Sequence, residues 1–308
     1  MQQSGMQSIA VGSPSQTLRD ILSAYHELTK PGITMMVVIT AAAGFYLALP
    51  SNAFVYLTFE YAARFLATLA GTALVSAGSC ALNHVMERRY DEQMKRTMNR
   101  PIPSGRVRSE HAVVFGLALT VAGIALLGSL NMLAASLAAL TWIMYIGVYT
   151  PLKRKTQLAT LIGGIPGALP PLGGWVMGGG RIEAGGILLF IILFLWQMPH
   201  FLSLAWMYRK DYERGGFPML TVQDESGMVV ARHIVSYTIL LLLFSLLLTV
   251  YGSTGTVYFF AALLLGGAFL AMGLRFMINR SNTNARNVLL TSYLYLLALL
   301  TLMFLDKA

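Results

Sequence analysis

The sequence predicts an all-α integral membrane protein, folded as a bundle of nine transmembrane helices. Three observations indicate this class. First, 56% of the 308 residues are hydrophobic and only 11% are charged, a balance too apolar for an ordinary soluble domain. Second, the apolar residues fall into nine runs that are each long enough to cross a bilayer. Third, the basic residues collect between alternate pairs of runs.

Each apolar run has about 20 residues, and a helix of that length spans the roughly 30 Å hydrocarbon core of a bilayer. The predicted spans cover residues 31–50, 62–85, 111–129, 131–150, 158–178, 185–207, 233–252, 256–278 and 287–305. The links at 129–131 and 252–256 are short, so the runs on either side of each link form antiparallel hairpins. Residues 1–18 lack a signal-peptide pattern and are predicted to be a disordered cytoplasmic tail, while 19–308 form a single membrane domain.

The distribution of Lys and Arg sets the predicted orientation of the bundle. If the N-terminus is cytoplasmic, all but three of the 22 basic residues fall on the cytoplasmic side, the exceptions being Arg64, Arg181 and Lys307. This bias is the positive-inside signal, and it fits an odd number of spans. Topology and an adjoining lipid bilayer therefore explain the net charge of +9, and no nucleic-acid partner is expected.

The acidic residues concentrate in two loops, which follow the second and sixth predicted spans. In the first loop, Asn83, Glu87 and Asp91 are spaced four residues apart. If the second span continues as a helix beyond Leu82, all three side chains project from nearly one face and form a ladder about 12 Å long. In the second loop, Asp211 could supply further oxygen ligands from the opposite side.

Carboxylate and amide oxygens beside basic residues suit a magnesium–diphosphate site, because Mg²⁺ is held by one or two carboxylates together with substrate phosphates. The residues predicted to bind phosphate oxygens are Arg96, Arg100, Lys153 and Lys210. At the mouth of an apolar bundle, this site indicates an allylic diphosphate whose C–O bond ionises while metal and basic side chains stabilise the leaving group. The alternative is that the acids merely offset neighbouring bases on a wet surface.

Several stretches together resemble one known family. The segment "NHVMERRYDEQMKRTMNRPIPSG", residues 83–105, is similar to the N-x-x-x-[DE]-x-x-x-D and R-T-x-x-R-P-L-x-x-G signature of intramembrane prenyltransferases of the UbiA type. Further similar blocks are "ELTKP" before the first span, "YTPLKRKTQLATLIGGIPGALPPLGGW" around the fifth, and "WQMPHFLSLAWMYRKDYERGGFPML" at the sixth. These ordered blocks extend over residues 27–220 and are most similar to the haem-farnesylating branch of the family.

The resemblance implies nine helices around a central cavity, with farnesyl diphosphate as donor, haem B as acceptor and Mg²⁺ as cofactor. It also implies a bacterial inner membrane, site loops on the cytoplasmic side, and a haem A synthase or terminal oxidase assembly machinery as candidate partners. Carried over by position, the catalytic and metal-binding residues are Asn83, Glu87, Asp91 and Asp211. The matching basic residues are Arg96, Arg100, Lys153 and Arg154.

Four positions depart from the pattern of the family or the wider superfamily, and one of them is Thr221, which follows "PML" where Pro is frequent. Glu87 stands where Asp is common, and Gly32 replaces an Arg often found after "KP". Gly215 stands where the wider family often has a second Asp, which favours a haem acceptor over a quinone ring. An enzyme acting on a quinone precursor or another aromatic acceptor stays open as the alternative, because it would share the donor site.

His200, in "WQMPHF", lies near the middle of the sixth predicted span, where an ionisable side chain is a functional candidate. It is a candidate haem contact, as an orienting group or as an iron ligand. The alternative is a neutral His bonded to a neighbouring helix. A transporter would also fit nine spans and the broken "IGGIPGALPPLGGWVMGGG" run, but it predicts charges along a path through the midplane, and the predicted spans carry almost no acids.

Overall fold

The computed structural model describes residues 17–49 and 59–308, and within these ranges the chain is mainly α-helical. The predicted tail, residues 1–18, lies outside the described residues except for Thr17 and Leu18, which begin the first helix. The helices are α1 (Leu18–Leu28), α2 (Pro31–Ala48), α3 (Phe59–Asp91), α4 (Ser109–Gly128), α5 (Met132–Trp142), α6 (Thr150–Leu152), α7 (Ala159–Gly179), α8 (Ala184–Met207), α9 (Arg209–Arg214), α10 (Leu220–Gln223), α11 (Met228–Val250), α12 (Thr256–Ile278) and α13 (Asn282–Leu305). A π-helical segment, Ile143–Tyr149, joins α5 to α6.

Most of the predicted spans are confirmed as helices of membrane-crossing length. In the described ranges, eight segments are long and apolar enough to cross a membrane: Pro31–Ala48, Phe59–Asp91, Ser109–Gly128, Met132–Leu152, Ala184–Met207, Met228–Val250, Thr256–Ile278 and Asn282–Leu305. The span expected at 158–178 is present as α7. It is not among the eight, because its many glycines and three prolines lower its mean hydropathy. The count of nine spans and the cytoplasmic N-terminus stay predictions.

The backbone of α7 lies directly against that of α2. A Cβ atom on Gly44 would lie 2.0 Å from the carbonyl oxygen of Pro171, and one on Gly174 would lie 1.9 Å from that of Ala41. No side chain larger than hydrogen fits at these two positions, so the glycines allow the two helices to touch. The side chains of α7 are largely buried, and the helix forms an inner wall of the bundle.

The longest helix, α3, carries the predicted ladder and packs closely on α4. It continues without a break beyond Leu82 to Asp91, which confirms the helical continuation that the ladder required. A Cβ atom on Gly78 would lie 2.5 Å from the carbonyl oxygen of Gly116, and one on Gly123 would lie 2.7 Å from that of Gly71. This seam of small residues fixes the position of α3 in the bundle.

An amphipathic helix before the first span was not anticipated from the sequence. Thr17 and Asp20 form a capping box at the start of α1, in which each side chain bonds to the backbone N–H of the other residue. The buried Ala24 and Leu28 pack with Ala81 of α3 and with the loop that follows α3. The helix therefore places the residues just after it, including Lys30, beside the ladder.

The largest hydrophobic cluster lies in the second half of the chain. It joins α8 to α11, α12 and α13 and includes the buried Trp196 and Trp206 of α8. Because α8 also packs on α7, it stands between this core and the cavity described next.

Candidate functional site

A cavity of about 710 Å³ lies among α2, α3, α5, α7 and α8 and contains most of the predicted site residues. The predicted site residues that line it are Asn83, Glu87, Asp91, Arg96, Arg100, Lys153 and His200. Arg154, Lys210 and Asp211 do not line it. Most of the remaining wall is apolar or aromatic, so the cavity joins a charged end to a hydrophobic interior. Pockets of this size and character bind organic ligands.

The three ladder residues are buried on one face of α3. Asn83 is 1% exposed, Glu87 3% and Asp91 0%. The amide of Asn83 donates to Glu87 Oε1 at 2.6 Å, which links two steps of the ladder. Buried polar groups need partners to offset the loss of water, and each of these three residues has one elsewhere in the chain.

Two lysines from distant segments bind the first two steps of the ladder. Lys30 Nζ donates to Asn83 Oδ1 at 2.6 Å. Lys153, just after α6, forms an ion pair with Glu87 through Oε1, and its ammonium also lies 5.3 Å from the ring centroid of Phe217. Asn83 and Glu87 of α3 thus contact one lysine that precedes the first predicted span and one that follows the fourth.

Arg100 binds the last step of the ladder. Its Nη1 atom lies 2.9 Å from both carboxylate oxygens of Asp91. The Thr97 hydroxyl donates to the backbone carbonyl of Asp91 at 2.9 Å, so the loop folds back on the end of α3. Because the loop turns back, Arg100 reaches the ladder. If α3 had continued as a helix, Arg100 would lie farther from Asp91.

Arg96 is held by aromatic rings from the second acidic loop. Its guanidinium carbon lies 5.2 Å from the ring centroid of Tyr208 and 5.8 Å from that of Tyr212, within the range of cation–π attraction. Burial raises the pKa of Tyr212, and the Arg96 cation partly offsets that rise. Arg96 therefore borders the cavity without pairing to the ladder, and among the described residues no hydrogen bond occupies its guanidinium donors.

Lys30 is a site residue that the sequence analysis did not select. It caps the start of α2 in the left-handed region, with φ 46°, and is the one non-glycine residue in the described ranges with positive φ. Burial lowers the pKa of Lys30 below its ordinary 10.5, and the cations of Arg100 and Lys153 lower it further. Its place in "ELTKP", directly before a span, was the available signal. A left-handed backbone and a half-buried ammonium together indicate a functional position.

The π-helical segment and Thr150, the first residue of α6, add further site residues that the sequence analysis did not select. Thr150 accepts a hydrogen bond from the Asn83 amide at 3.2 Å and donates to the carbonyl of Tyr145 at 2.8 Å. The rings of Tyr145 and Tyr149 stack with centroids 5.5 Å apart, and both line the cavity. Short π-helical segments often occur at functional sites.

Asp211, the acid predicted to act from the second loop, does not reach the ladder in this structure, although Tyr212 and Phe217 of the same loop line the cavity. Asp211 and Lys210 line a smaller pocket of about 290 Å³, where Asp211 forms an ion pair with Arg214. In the part of the chain that the structure describes, no three His, Cys, Asp or Glu side chains group as a metal site. The predicted metal role of Asp211 therefore gains no support from proximity and stays a prediction.

Arg154 lies on the outer side of the ladder helix. Its guanidinium carbon is 4.4 Å from the ring centroid of Tyr90, and its Nη2 donates to the carbonyl oxygen of Met86. These contacts fasten the loop after α6 to α3. Arg154 thus helps to position the neighbouring Lys153, and Arg154 itself does not line the cavity.

The donor set on the ladder fits Mg²⁺ that arrives with phosphates. Glu87 and Asp91 offer carboxylate oxygens and Asn83 an amide oxygen, which are hard ligands of the kind that Mg²⁺ binds. Two carboxylates and an amide do not complete an octahedron, so substrate oxygens and water would supply the other ligands. The ladder residues therefore suit a metal–diphosphate complex better than a metal ion alone.

His200 lies in the wall of the cavity that α8 forms. It is 7% exposed, its Nδ1 lies 2.8 Å from the Ser292 hydroxyl of α13, and its ring stacks on Trp196 with centroids 4.9 Å apart. The bond to a neighbouring helix, which was the alternative to a haem contact, is thus present, and the side chain also lines the cavity. The haem contact stays a prediction. Ser292 lies 92 positions away in the sequence, and no local pattern pointed to it.

Comparisons with known proteins bear on the family and the fold of the chain. The chain matches the model of the UbiA prenyltransferase family over residues 37–303. A relative from Solibacter usitatus (strain Ellin6076), named protoheme IX farnesyltransferase, is 44% identical over 286 residues, which are 92% of this chain and 98% of the relative.

Solved structures share the fold at lower identity. A structure of a digeranylgeranylglyceryl phosphate synthase has a TM-score of 0.77 at 17% identity and covers 93% of this chain and 98% of its own. A UbiA homologue from Archaeoglobus fulgidus, bound to GPP and Mg²⁺, has a TM-score of 0.62 at 14% identity, with 91% and 98% covered. At these identities the likeness establishes the architecture alone.

Proposed function

Because the chain belongs to the UbiA prenyltransferase family, we propose that it farnesylates haem. It transfers the farnesyl group of farnesyl diphosphate to a vinyl group of haem B, adds water and releases diphosphate, so that the product is haem O. The relative matched over nearly its whole length carries the name of this activity.

The balance of charge in the cavity is the observation that carries the donor half of this proposal. Among the described residues, four cations and two carboxylates line the cavity: Lys30, Arg96, Arg100, Lys153, Glu87 and Asp91. The excess of positive charge, set in a largely apolar enclosure, suits a polyanion that brings its own divalent cation. A surface that merely offset acids with bases would leave no such excess in an enclosed space.

The basic side chains stabilise the leaving group during donor cleavage. The C–O bond between farnesyl and diphosphate breaks, and its electron pair leaves with diphosphate. Arg96, which lies over the rings of Tyr208 and Tyr212, can donate hydrogen bonds to the phosphate oxygens. Lys30, Lys153 and Arg100 can exchange their bond to a ladder oxygen for a bond to a phosphate oxygen. Charge-assisted hydrogen bonds of this kind are strongest where water is excluded. When bound at the ladder, Mg²⁺ would supply Lewis-acid stabilisation of the diphosphate charge.

The apolar part of the cavity shields the allylic cation until the acceptor captures it. The π electrons of the haem vinyl group form the new C–C bond to farnesyl. The cation left on the vinyl carbon beside the porphyrin takes a hydroxyl from water, and one proton is released. The stacked Tyr145 and Tyr149 present aromatic surface to the cavity near the ladder, where a π-face can stabilise a passing cation.

The protein is a multi-pass membrane protein, and its charge distribution supports a finer assignment. We place it in a bacterial inner membrane with the ladder and its loops on the cytoplasmic side, because the basic residues gather there under the positive-inside rule. A haem A synthase or terminal oxidase assembly machinery would be the consumer of the product.

A reconstitution assay tests the function. Purified protein in lipid nanodiscs receives farnesyl diphosphate, Mg²⁺ and haem, and mass spectrometry follows the extracted haem while a coupled assay follows diphosphate. We expect farnesylated, hydroxylated haem and diphosphate in equal amounts, and no product from Glu87→Gln. Glu110→Gln is the matched control, because the ion pair of Glu110 with Arg108 is exposed and lies away from the cavity.

An acceptor panel separates the alternative. If 4-hydroxybenzoate is prenylated in preference to haem, the acceptor assignment is wrong and the donor half of the proposal stands. If neither acceptor reacts while a known prenyltransferase works under the same conditions, the whole proposal is wrong.

A further inference from the structure

The hydrogen bonds around His200 determine where its ring proton lies. The Ser292 hydroxyl oxygen lies 2.6 Å from the backbone carbonyl oxygen of Leu289 and 2.8 Å from His200 Nδ1. Two oxygens only 2.6 Å apart repel unless a proton lies between them, so the single hydroxyl proton of Ser292 points to Leu289. Ser292 then has only a lone pair to offer His200.

The ring nitrogen that faces Ser292 must therefore carry the imidazole proton. With Nδ1 as the donor, the neutral ring keeps an unshared electron pair on Nε2, and the network assigns this tautomer. Nε2 has no hydrogen-bond partner in the described ranges. It is also not one of the fully buried polar atoms without a partner, so it retains accessible surface. Because His200 lines the cavity, this basic nitrogen is accessible from the cavity.

Neighbouring aromatic side chains prevent the ring from turning. Trp196 stacks on it at 25° between the planes, and Tyr293 meets it edge-on at 84°, each with centroids 4.9 Å apart. The Trp196 indole N–H donates to the backbone carbonyl of Ser292 at 2.7 Å. Two residues one turn apart on α8 thus bind the same residue of α13, which fixes the direction of the imidazole.

We propose that Ser292 locks His200 in the Nδ1–H form so that His200 Nε2 binds the iron of haem as an axial ligand. Iron-binding histidines commonly donate their other ring N–H to an oxygen that sets tautomer and orientation. His200 is then a binding residue of the acceptor, and Ser292 is a positioning residue that acts through it. This inference rests on the proposed function, because it takes haem as the substrate.

The position of His200 suits a binding site for the acceptor that is separate from the binding site for diphosphate. His200 lies seven residues before Met207, the last residue of α8, so it is about 10 Å along the helix from that end. The charged ladder forms the end of α3, and the loops after α3 and α8 meet where Arg96 contacts Tyr208 and Tyr212. The imidazole is therefore deeper in the bundle than the charged end, among the apolar walls that a porphyrin requires.

Binding measurements without farnesyl diphosphate test the proposal. Purified protein in nanodiscs is titrated with haem and, separately, with metal-free protoporphyrin IX, and absorption and fluorescence quenching give each Kd. In His200→Asn the side-chain amide can keep the bond to Ser292, but no nitrogen is available for iron. We expect this variant to bind haem about tenfold more weakly or worse, to lose the Soret shift of wild type, and to bind protoporphyrin IX unchanged.

The positioning role of Ser292 has its own control. Ser292→Ala should weaken haem binding about tenfold without changing protoporphyrin IX binding, and Ser292→Thr should restore it. Ser245→Ala is the matched control, since Ser245 is also buried, donates to the backbone carbonyl of Leu241 and contacts a side chain of α13, Tyr295. It should leave both affinities unchanged.

The outcomes separate this proposal from the proposed function. If wild type makes farnesylated haem while His200→Asn binds haem with unchanged affinity and spectrum, iron ligation is wrong and the function stands. If haem and protoporphyrin IX weaken equally in His200→Asn, the residue acts by packing and the proposal is likewise wrong. If wild type binds no haem and makes no product, the proposed function itself fails.

Discussion

Glu87 and Asp91 are buried carboxylates that already have cationic partners before any substrate arrives. Lys153 binds the first and Arg100 the second. A buried carboxylate without a partner would bear a large desolvation cost, so these cations stabilise the buried acids. The same cations are the groups that a diphosphate needs, and the site therefore exchanges one set of ion pairs for another when it binds.

Replacing Asp91 by Asn tests this exchange. The amide keeps the shape and one acceptor but loses the charge that pairs with Arg100. We expect turnover to fall by at least about 100-fold and the free energy of unfolding to fall by about 1–3 kcal/mol. Steady-state assays and thermal unfolding in detergent measure the two effects. Glu60→Gln, on the same helix with an exposed partner, Arg64, should change neither by much. Wild-type turnover in Asp91→Asn would remove the residue from the site.

A second prediction concerns the strained backbone of Lys30. Left-handed backbone costs an ordinary L-residue about 1–2 kcal/mol, and glycine avoids that cost. Lys30→Gly and Lys30→Ala both remove the ammonium, so both should bind diphosphate roughly 10-fold or more weakly, the loss of a charged hydrogen bond. Lys30→Gly should nevertheless be more stable than Lys30→Ala by about 1 kcal/mol. Equal melting temperatures for the two variants would show that this backbone is not strained.

At this scale the sequence predicted local geometry and missed distant partners. Asn83, Glu87 and Asp91 could be aligned from their spacing because helix geometry alone fixes which residues share a face. Lys30 meets Asn83 across 53 positions, and Ser292 meets His200 across 92. Such contacts depend on how helices pack, and no periodicity in a single sequence records them.

Among the helices, the α3–α4 seam determines where the ladder stands. The position of Gly78 against Gly116 leaves no room for a methyl group, since Thr120 Oγ1 would lie 2.4 Å from a Cβ on Gly78. The helices touch through backbone atoms, and any added atom must move the ladder relative to the loop cations.

Gly78→Ala is therefore expected to destabilise the protein although alanine is the better helix former. The variant should lose about 1–3 kcal/mol through overpacking and lose diphosphate affinity as α3 shifts. Thermal unfolding in detergent and a binding titration measure these effects. Gly267→Ala on α12 is the matched control, because a Cβ there meets nothing within 4 Å. It should be neutral or stabilising by up to about 1 kcal/mol. If both variants behave alike, the seam does not position the ladder.

Helix boundaries show the same limit on prediction from sequence. Eight predicted spans reappear as apolar helices, because composition over 20 residues is a strong signal. The amphipathic α1 and the π-helical segment were missed, since α1 is too short to span and a π-helix has no composition of its own. The glycine- and proline-rich α7 was predicted as a span from its length, and the structure shows a helix whose apolar content is lower than that of the eight.

At the scale of the whole molecule, Lys307 connects the segment after the last helix, α13, to the end of α2. Its ammonium donates to the carbonyl oxygens of Tyr46, at 2.7 Å, and Leu49, and lies 4.7 Å from the ring centroid of Tyr46. The preceding Asp306 accepts a hydrogen bond from the backbone N–H of Tyr258 at 2.6 Å. These contacts join the segment after α13 to the ends of α2 and α12.

The stability of the bundle should depend on pH through Lys307. Burial lowers the pKa of Lys307 from 10.5 to about 8. Between these pH values the unfolded chain still holds the proton that the folded protein has released, so the contribution of Lys307 to stability rises as pH increases from 8 to 10.5. Thermal unfolding of wild type and Lys307→Met at pH 7.5 and 9.5 measures this difference. A wild-type melting temperature that falls relative to Lys307→Met over this interval would contradict the assignment.

The backbone contact of α7 with α2 has a consequence for how the protein is made. With so many glycines and prolines, α7 gains little by entering lipid as a solitary segment. Its place depends on the backbone contact with α2, which leaves the ribosome more than a hundred residues earlier. We expect α7 to insert stably only once it packs against α2, so that contacts between helices, rather than the partition of α7 into lipid, form the inner wall of the cavity.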